Sequence, residues 1–166
     1  MLAAVIAAKS LNEAINDIKK TKDADLIELR IDYLKEMKLE KLKKLIENCK
    51  KPLIITNRKK SEGGFFNGGE EERIQILKKT IDFGAPYIDI EYSSNKNLIK
   101  SILKNNNKTK IILSYHDFKK TPNNLTNVYN NIKKLNPDLI KIVTQSNSVT
   151  DNIKIFDLIK QSNNEK

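Results

Sequence analysis

A lysine and a histidine, each set against an apolar run, are the residues of this chain best suited to chemistry. Lys141 lies between Ile140 and Ile142 in Leu139-Ile140-Lys141-Ile142-Val143-Thr144. His116, the only histidine, stands in Ser114-Tyr115-His116-Asp117-Phe118, directly after Lys110-Ile111-Ile112-Leu113. An amine with apolar neighbours and nearby arginines is disfavoured as its ammonium, which leaves a free base able to attack a carbonyl and form an imine. Histidine, whose unperturbed pKa lies close to neutrality, both takes and returns a proton. The competing readings are structural: Lys141 snorkelling out at a strand end, and His116 hydrogen-bonded where its strand stops.

Other strands end in the same way. Residues two apart on a strand share a face, which pairs Glu28 with Arg30, Asp89 with Glu91, and Ser114 with His116. A charge turned into a core costs several kcal/mol unless it is paired. One such residue is explained by a salt bridge. Glu28, Arg30, Glu91, His116 and Lys141 at equivalent positions read as a functional site at the strand ends, where α/β folds keep their chemistry.

The elements that must position these residues alternate in period. Strands are expected at Leu2 to Ala7, Leu26 to Asp32, Leu53 to Thr56, Tyr87 to Glu91, Lys110 to Leu113 and Leu139 to Thr144. Apolar residues at helical spacing follow each one. Ser10 and Glu13 are spaced as a capping box, Gly84 stops the third helix, and Asn105-Asn106-Asn107 forms the turn into the fifth strand. Asn136-Pro137 ends the fifth helix, Ser148 caps the sixth, and the chain is expected to fray from Gln161 to Lys166.

Composition narrows the class. With 166 residues, 39% hydrophobic and 31% charged, the chain suits one globular domain spanning 1–166. The single cysteine, Cys49, excludes an internal disulfide and fits a reducing cytoplasm. The apolar start, Met1 to Ala8, has no basic region before it and reads as a buried strand. A net charge of +10 invites nucleic acid, but the lysines are scattered over every helix and read as a solvated surface. No nucleic-acid or membrane partner is therefore expected.

Unbroken βα alternation implies parallel strands with right-handed crossovers. An open doubly wound sheet and a β/α barrel both satisfy it. The first calls for a Gly-rich turn after an early strand, and none follows the first or second. The second normally needs eight units, and only six can be counted.

Glu28-Leu29-Arg30, Arg58 with Glu62-Gly63-Gly64, Ser114-Tyr115-His116-Asp117-Phe118 and Lys141-Ile142 together resemble type I 3-dehydroquinate dehydratase, the Schiff-base dehydratase of the shikimate pathway. The resemblance runs in order from the first strand to at least Thr144. It implies a TIM (β/α)8 barrel with six of its eight units in this chain, and syn elimination of water from 3-dehydroquinate without metal or cofactor. By motif, Lys141 forms the imine, His116 is the general acid–base, and Glu62 orients His116. Glu28, Arg30 and Arg58 hold the substrate hydroxyls, and Asp89, Glu91, Ser114 and Asp117 act as support. A homodimer is the assembly to test.

The family's seventh strand, with an arginine for the substrate carboxylate, and its eighth-strand loop, with a serine and a glutamine, lie outside this sequence. Strands one and six are expected to be left without outer partners. The expectation is an incomplete copy of a longer protein, with a partner-completed barrel and an inactive remnant as alternatives. Another Schiff-base lyase or aldolase on a barrel, and a non-enzymatic basic binding module, are the remaining alternatives.

Overall fold

In the computed structural model, which describes residues 2–104 and 108–164, six parallel strands lie side by side in chain order. They are β1 (Ala3–Ile6), β2 (Leu26–Arg30), β3 (Leu53–Thr56), β4 (Tyr87–Glu91), β5 (Lys110–Asp117) and β6 (Leu139–Thr144). The helices α1 (Leu11–Lys20), α2 (Leu39–Asn48), α3 (Glu70–Asp82), α4 (Lys96–Lys104), α5 (Leu125–Lys133) and α6 (Val149–Asn164) alternate with them. The Asn105-Asn106-Asn107 turn expected from sequence falls outside the described residues.

The sheet is curled. Side by side in a flat sheet, β2 and β6 would stand about 19 Å apart. Lys141 Nζ on β6 nevertheless lies 3.0 Å from Glu28 Oε2 on β2. Closure of this kind makes a barrel wall and excludes the open doubly wound alternative. Leu29, Ile55, Ile88, Ile90, Ile111 and Leu113 turn outward and are buried beneath the helices. Leu26, Ile54 and Ile112 turn inward and fill the N-terminal end of the interior.

The wall stays open between its first and last strands. Among the described residues, β1 pairs only with β2, and β6 only with β5. Val5, in register with inward-facing Glu28, is 58% exposed, and Leu139, in register with Ile112, is 42% exposed.

Local details depart from expectation in several places. β5 runs on through Ser114, Tyr115 and His116 to Asp117, four residues beyond the apolar run, because β6 pairs with it over that length. Ser10 Oγ accepts the N–H of Glu13, but the Glu13 carboxylate reaches back to the N–H of Lys9 instead of Ser10. The second strand stops at Arg30 and a 3-10 turn, Ile31–Tyr33, takes its place. There Asp32 turns back on Arg30, and a two-pronged ion pair replaces further pairing in the sheet. Helix α6 continues to Asn164, so the expected fraying from Gln161 does not occur within the described residues. No helix among them is long and apolar enough to cross a membrane.

Candidate active site

Strand alternation sorts the chemistry onto the inner face. Ser114 is in register with Lys141, and His116 with Val143, so the inward sides of β5 and β6 present Ser114, His116 and Lys141 together. Ile140 and Ile142 point the other way and pack against Leu125, Tyr129 and Leu158 of α5 and α6. The expectation of apolar neighbours around Lys141 is therefore corrected, while that of a nearby arginine is met by Arg58, which shares Asp89 Oδ2 with it. Residues adjacent in sequence lie on opposite faces, and Nζ sits instead 3.0 Å from Glu28 Oε2 and 3.2 Å from Asp89 Oδ2. The lysine side chain remains 32% exposed toward the open end.

Asp89 is the hub beneath it. Its two oxygens accept from Arg58 Nη1 and Nη2 at 2.9 Å each, and Oδ1 also accepts from Ser114 Oγ at 2.6 Å. Burial pushes the Asp89 carboxyl up, but Arg58 and Lys141, with hydrogen bonds from Arg58 and Ser114, outweigh it and hold it below its ordinary value. Arg58 is only 2% exposed and also lies 3.2 Å from Glu91 Oε1. Burial works against its charge, yet Asp89, Glu91 and Glu28 hold the guanidinium above its ordinary range. Glu28 Oε1 accepts from Thr56 Oγ1 at 3.0 Å, which leaves Oε2 to Lys141.

The histidine is anchored separately. Glu62 sits on a 3-10 turn, Lys60–Glu62, after β3, and its Oε2 lies 3.0 Å from His116 Nδ1. Ser93 Oγ donates to the other oxygen. Burial pushes the Glu62 carboxyl up, but His116, Ser93 and Lys59 bring it below its ordinary value. With Nδ1 engaged, Nε2 is the ring nitrogen available to a ligand. The ring stacks on Phe118, centroids 5.8 Å apart. This packing explains the two glycines after Glu62. Gly63 takes φ +74°, and a Cβ there would come within 2.9 Å of the Phe118 ring; one on Gly64 would lie 2.0 Å from the Arg58 carbonyl oxygen.

Arg30 reaches the same end of the barrel from β2. It is held by Asp32 through two 2.8 Å bonds, lies over the Tyr33 ring at 4.9 Å, and approaches the Gly63 carbonyl at 3.4 Å. The structure thus gathers all six sequence-derived candidates, Glu28, Arg30, Arg58, Glu62, His116 and Lys141, at the C-terminal ends of the strands. Sequence reasoning missed Arg73, Asn57, Ser93 and Ser94. A signal for Arg73 was available: it lies one turn before Leu77 on the buried stripe of α3. Asn57 is fully buried, and its side-chain amide has no hydrogen-bond partner among the described residues.

A family model, type I 3-dehydroquinase, matches residues 2–166. The chain belongs to the type I 3-dehydroquinase family. It is 39% identical over 165 residues to a 3-dehydroquinate dehydratase of Methanocaldococcus jannaschii, covering 97% of this chain and 74% of that protein. Among solved structures it is similar to the type I 3-dehydroquinate dehydratase of Clostridium difficile (25% identity, TM-score 0.82), over 90% of this chain and 65% of the other. The 3-dehydroquinate dehydratase of Aquifex aeolicus matches at 27% identity and TM-score 0.81, over 97% and 75%. The chain thus spans about three quarters of two of these dehydratases and just under two thirds of the third. The six strands and six helices correspond to six of the eight units of this barrel family.

Proposed function

We propose that this chain dehydrates 3-dehydroquinate to 3-dehydroshikimate by syn elimination through an imine on Lys141, as a lyase of the shikimate pathway. The observation that carries the reading is the pairing of a carboxylate-flanked lysine with a carboxylate-anchored histidine on one face of neighbouring strands. Lys141 passes a proton to Glu28, its nearest acceptor, the free amine attacks the substrate ketone, and Glu28 returns that proton to the carbinolamine hydroxyl, which leaves as water to give an iminium. The iminium acidifies the adjacent C–H. His116 removes that proton through Nε2, and the enamine expels the neighbouring hydroxyl, which departs as water with the proton that His116 returns. Water then hydrolyses the product iminium, Glu28 relaying the protons of that water to the departing amine, so that Lys141 is released as its ammonium.

In this reading Glu62 orients the ring through its bond to Nδ1. Glu28, Arg30 and Arg58 hold the substrate hydroxyls. Both arginines are already bound to aspartates, so a hydroxyl must share or displace one of those bonds. The lysine imine is itself the electron sink, and no step is routed through a metal or cofactor. The proposal takes residues 1–166 as one incomplete barrel domain of a cytoplasmic homodimer, without nucleic-acid or membrane partners. Light scattering after size exclusion tests the dimer.

The deciding experiment is borohydride reduction in the presence of 3-dehydroquinate, read by intact mass and peptide mapping. A reduced adduct on Lys141 that disappears in Lys141→Ala is expected. An adduct on another residue, or none on folded protein, rejects the mechanism.

A further inference from the structure

Arg73 has no contact with the inner face residues Lys141 and His116, yet it is one of the most completely buried side chains, at 1% exposure. It rises from α3, outside the barrel, and its guanidinium joins three pieces of chain. Nη1 donates to the Asn57 carbonyl at 3.0 Å, just after β3, and to Glu91 Oε2 at 2.6 Å, at the end of β4. Nη2 donates to Ser94 Oγ at 2.8 Å in the loop that follows.

Each contact leads toward the site. The other oxygen of Glu91 faces Arg58 at 3.2 Å and accepts the N–H of Lys59 at 3.2 Å, so it fixes the start of the loop that carries Glu62. Ser94 adjoins Ser93, whose hydroxyl donates to the Glu62 carboxylate bonded to His116. A buried guanidinium whose planar fork is shared among a carbonyl, a carboxylate and a hydroxyl confines all three, and a lysine cannot reproduce that geometry.

We propose that Arg73 is a positioning residue that acts from behind the barrel wall, holding Glu62 against His116 through Ser94 and Ser93 and holding Arg58 through Glu91. The proposal deepens the dehydratase reading and rests on it for its kinetic consequences. It also makes a claim about the resting protein that stands without turnover. Because the chain has a single histidine, the His116 ring gives one set of nuclear magnetic resonance signals.

The experiment compares wild type, Arg73→Lys, Arg73→Met and Ser94→Ala, each checked for folding by circular dichroism and melting. In Arg73→Lys and Arg73→Met, kcat for 3-dehydroquinate is expected to fall by about tenfold to a hundredfold and KM to rise, as small misplacements at an active site do. The His116 resonances are expected to shift in substrate-free protein. The borohydride adduct on Lys141 should persist, because Glu28 and Asp89, which hold that amine, do not bond to Arg73. Ser94→Ala cuts only the arm toward Glu62, so it should shift the His116 signals and lower kcat with KM unchanged. If the Arg73 variants do not fold, Ser94→Ala decides. Wild-type His116 resonances in the folded variants overturn the proposal. A wild-type chain that neither turns over nor is trapped rejects the dehydratase reading instead, and the resonances still judge Arg73.

Discussion

Strands β4 and β6 each set a charged residue between two isoleucines, yet they differ in environment. Tyr87-Ile88-Asp89-Ile90-Glu91 is buried on both faces from its second residue onward, whereas Leu139-Ile140-Lys141-Ile142-Val143-Thr144 has no fully buried residue. The difference is in neighbours: β4 lies between β3 and β5, and β6 has β5 alone. The division runs through the chemistry as well. Asp89 belongs to the two-sided part of the wall, and Arg58 and Glu62 follow β3 beside it; His116 lies where β5 pairs with β6 alone and is held by Glu62 and Phe118. Lys141, the amine of the proposed imine, stands on an edge strand and is held by two ion pairs that reach it from other strands.

The comparison can be broken most directly at Asp89. Asp89→Ala leaves Arg58 and Lys141 without their shared carboxylate, and loss of one partner from a buried ion network costs about 3–5 kcal/mol. Urea unfolding measures it, and a loss below about 1 kcal/mol would show that the network does not hold the wall together. A matched pair of leucines gives the next largest contrast. Leu113→Ala on β5, at a fully buried position, should cost about 2–5 kcal/mol, and Leu139→Ala on β6 about 1 kcal/mol or less. Equal costs would mean that the open edge is covered in solution.

The smallest expected effect lies in the acid limb of stability. Asp89 and Glu62 both titrate below their ordinary values in the folded chain. The unfolded chain therefore binds more protons as pH drops through the ordinary carboxylate range. Their contribution is fully present above that range and is lost as pH falls through the folded values. Urea midpoints taken at stepped acid pH should decline less steeply in Glu62→Gln than in the wild type. Parallel declines would remove Glu62 from the pH dependence.

Much of this architecture was legible beforehand, for reasons that differ by element. β3, β4 and β6 match their expected bounds to the residue, because short β-branched runs between helical patterns leave little freedom in where they start. The end of β2 was not legible. Ile31-Asp32 continues the strand pattern, and the partners that go with the 3-10 turn, Arg30 and the distant Phe65 N–H on the Asp32 carboxylate, are visible only once the chain is folded. The capping box was half legible: Ser10 caps as expected, while Glu13 bonds one residue further back.

At the site, residue types and the period of two established by themselves that Glu28, Arg30, Glu91, His116 and Lys141 share the inner ends of parallel strands. Those signals are local, and parity along a strand is enough to read them. What surrounds each group was decided by tertiary structure alone. The apolar neighbours of Lys141 in sequence turned out to lie on the far face of its strand. Its real partners, Glu28 and Asp89, are 113 and 52 residues away and meet it only because the sheet curls. Arg73 reaches Glu91, 18 residues away, because α3 packs back on β3 and β4, the two strands it connects. Periodicity carries the direction in which a side chain points, and the distance at which two such side chains meet depends on curvature and packing of the whole wall.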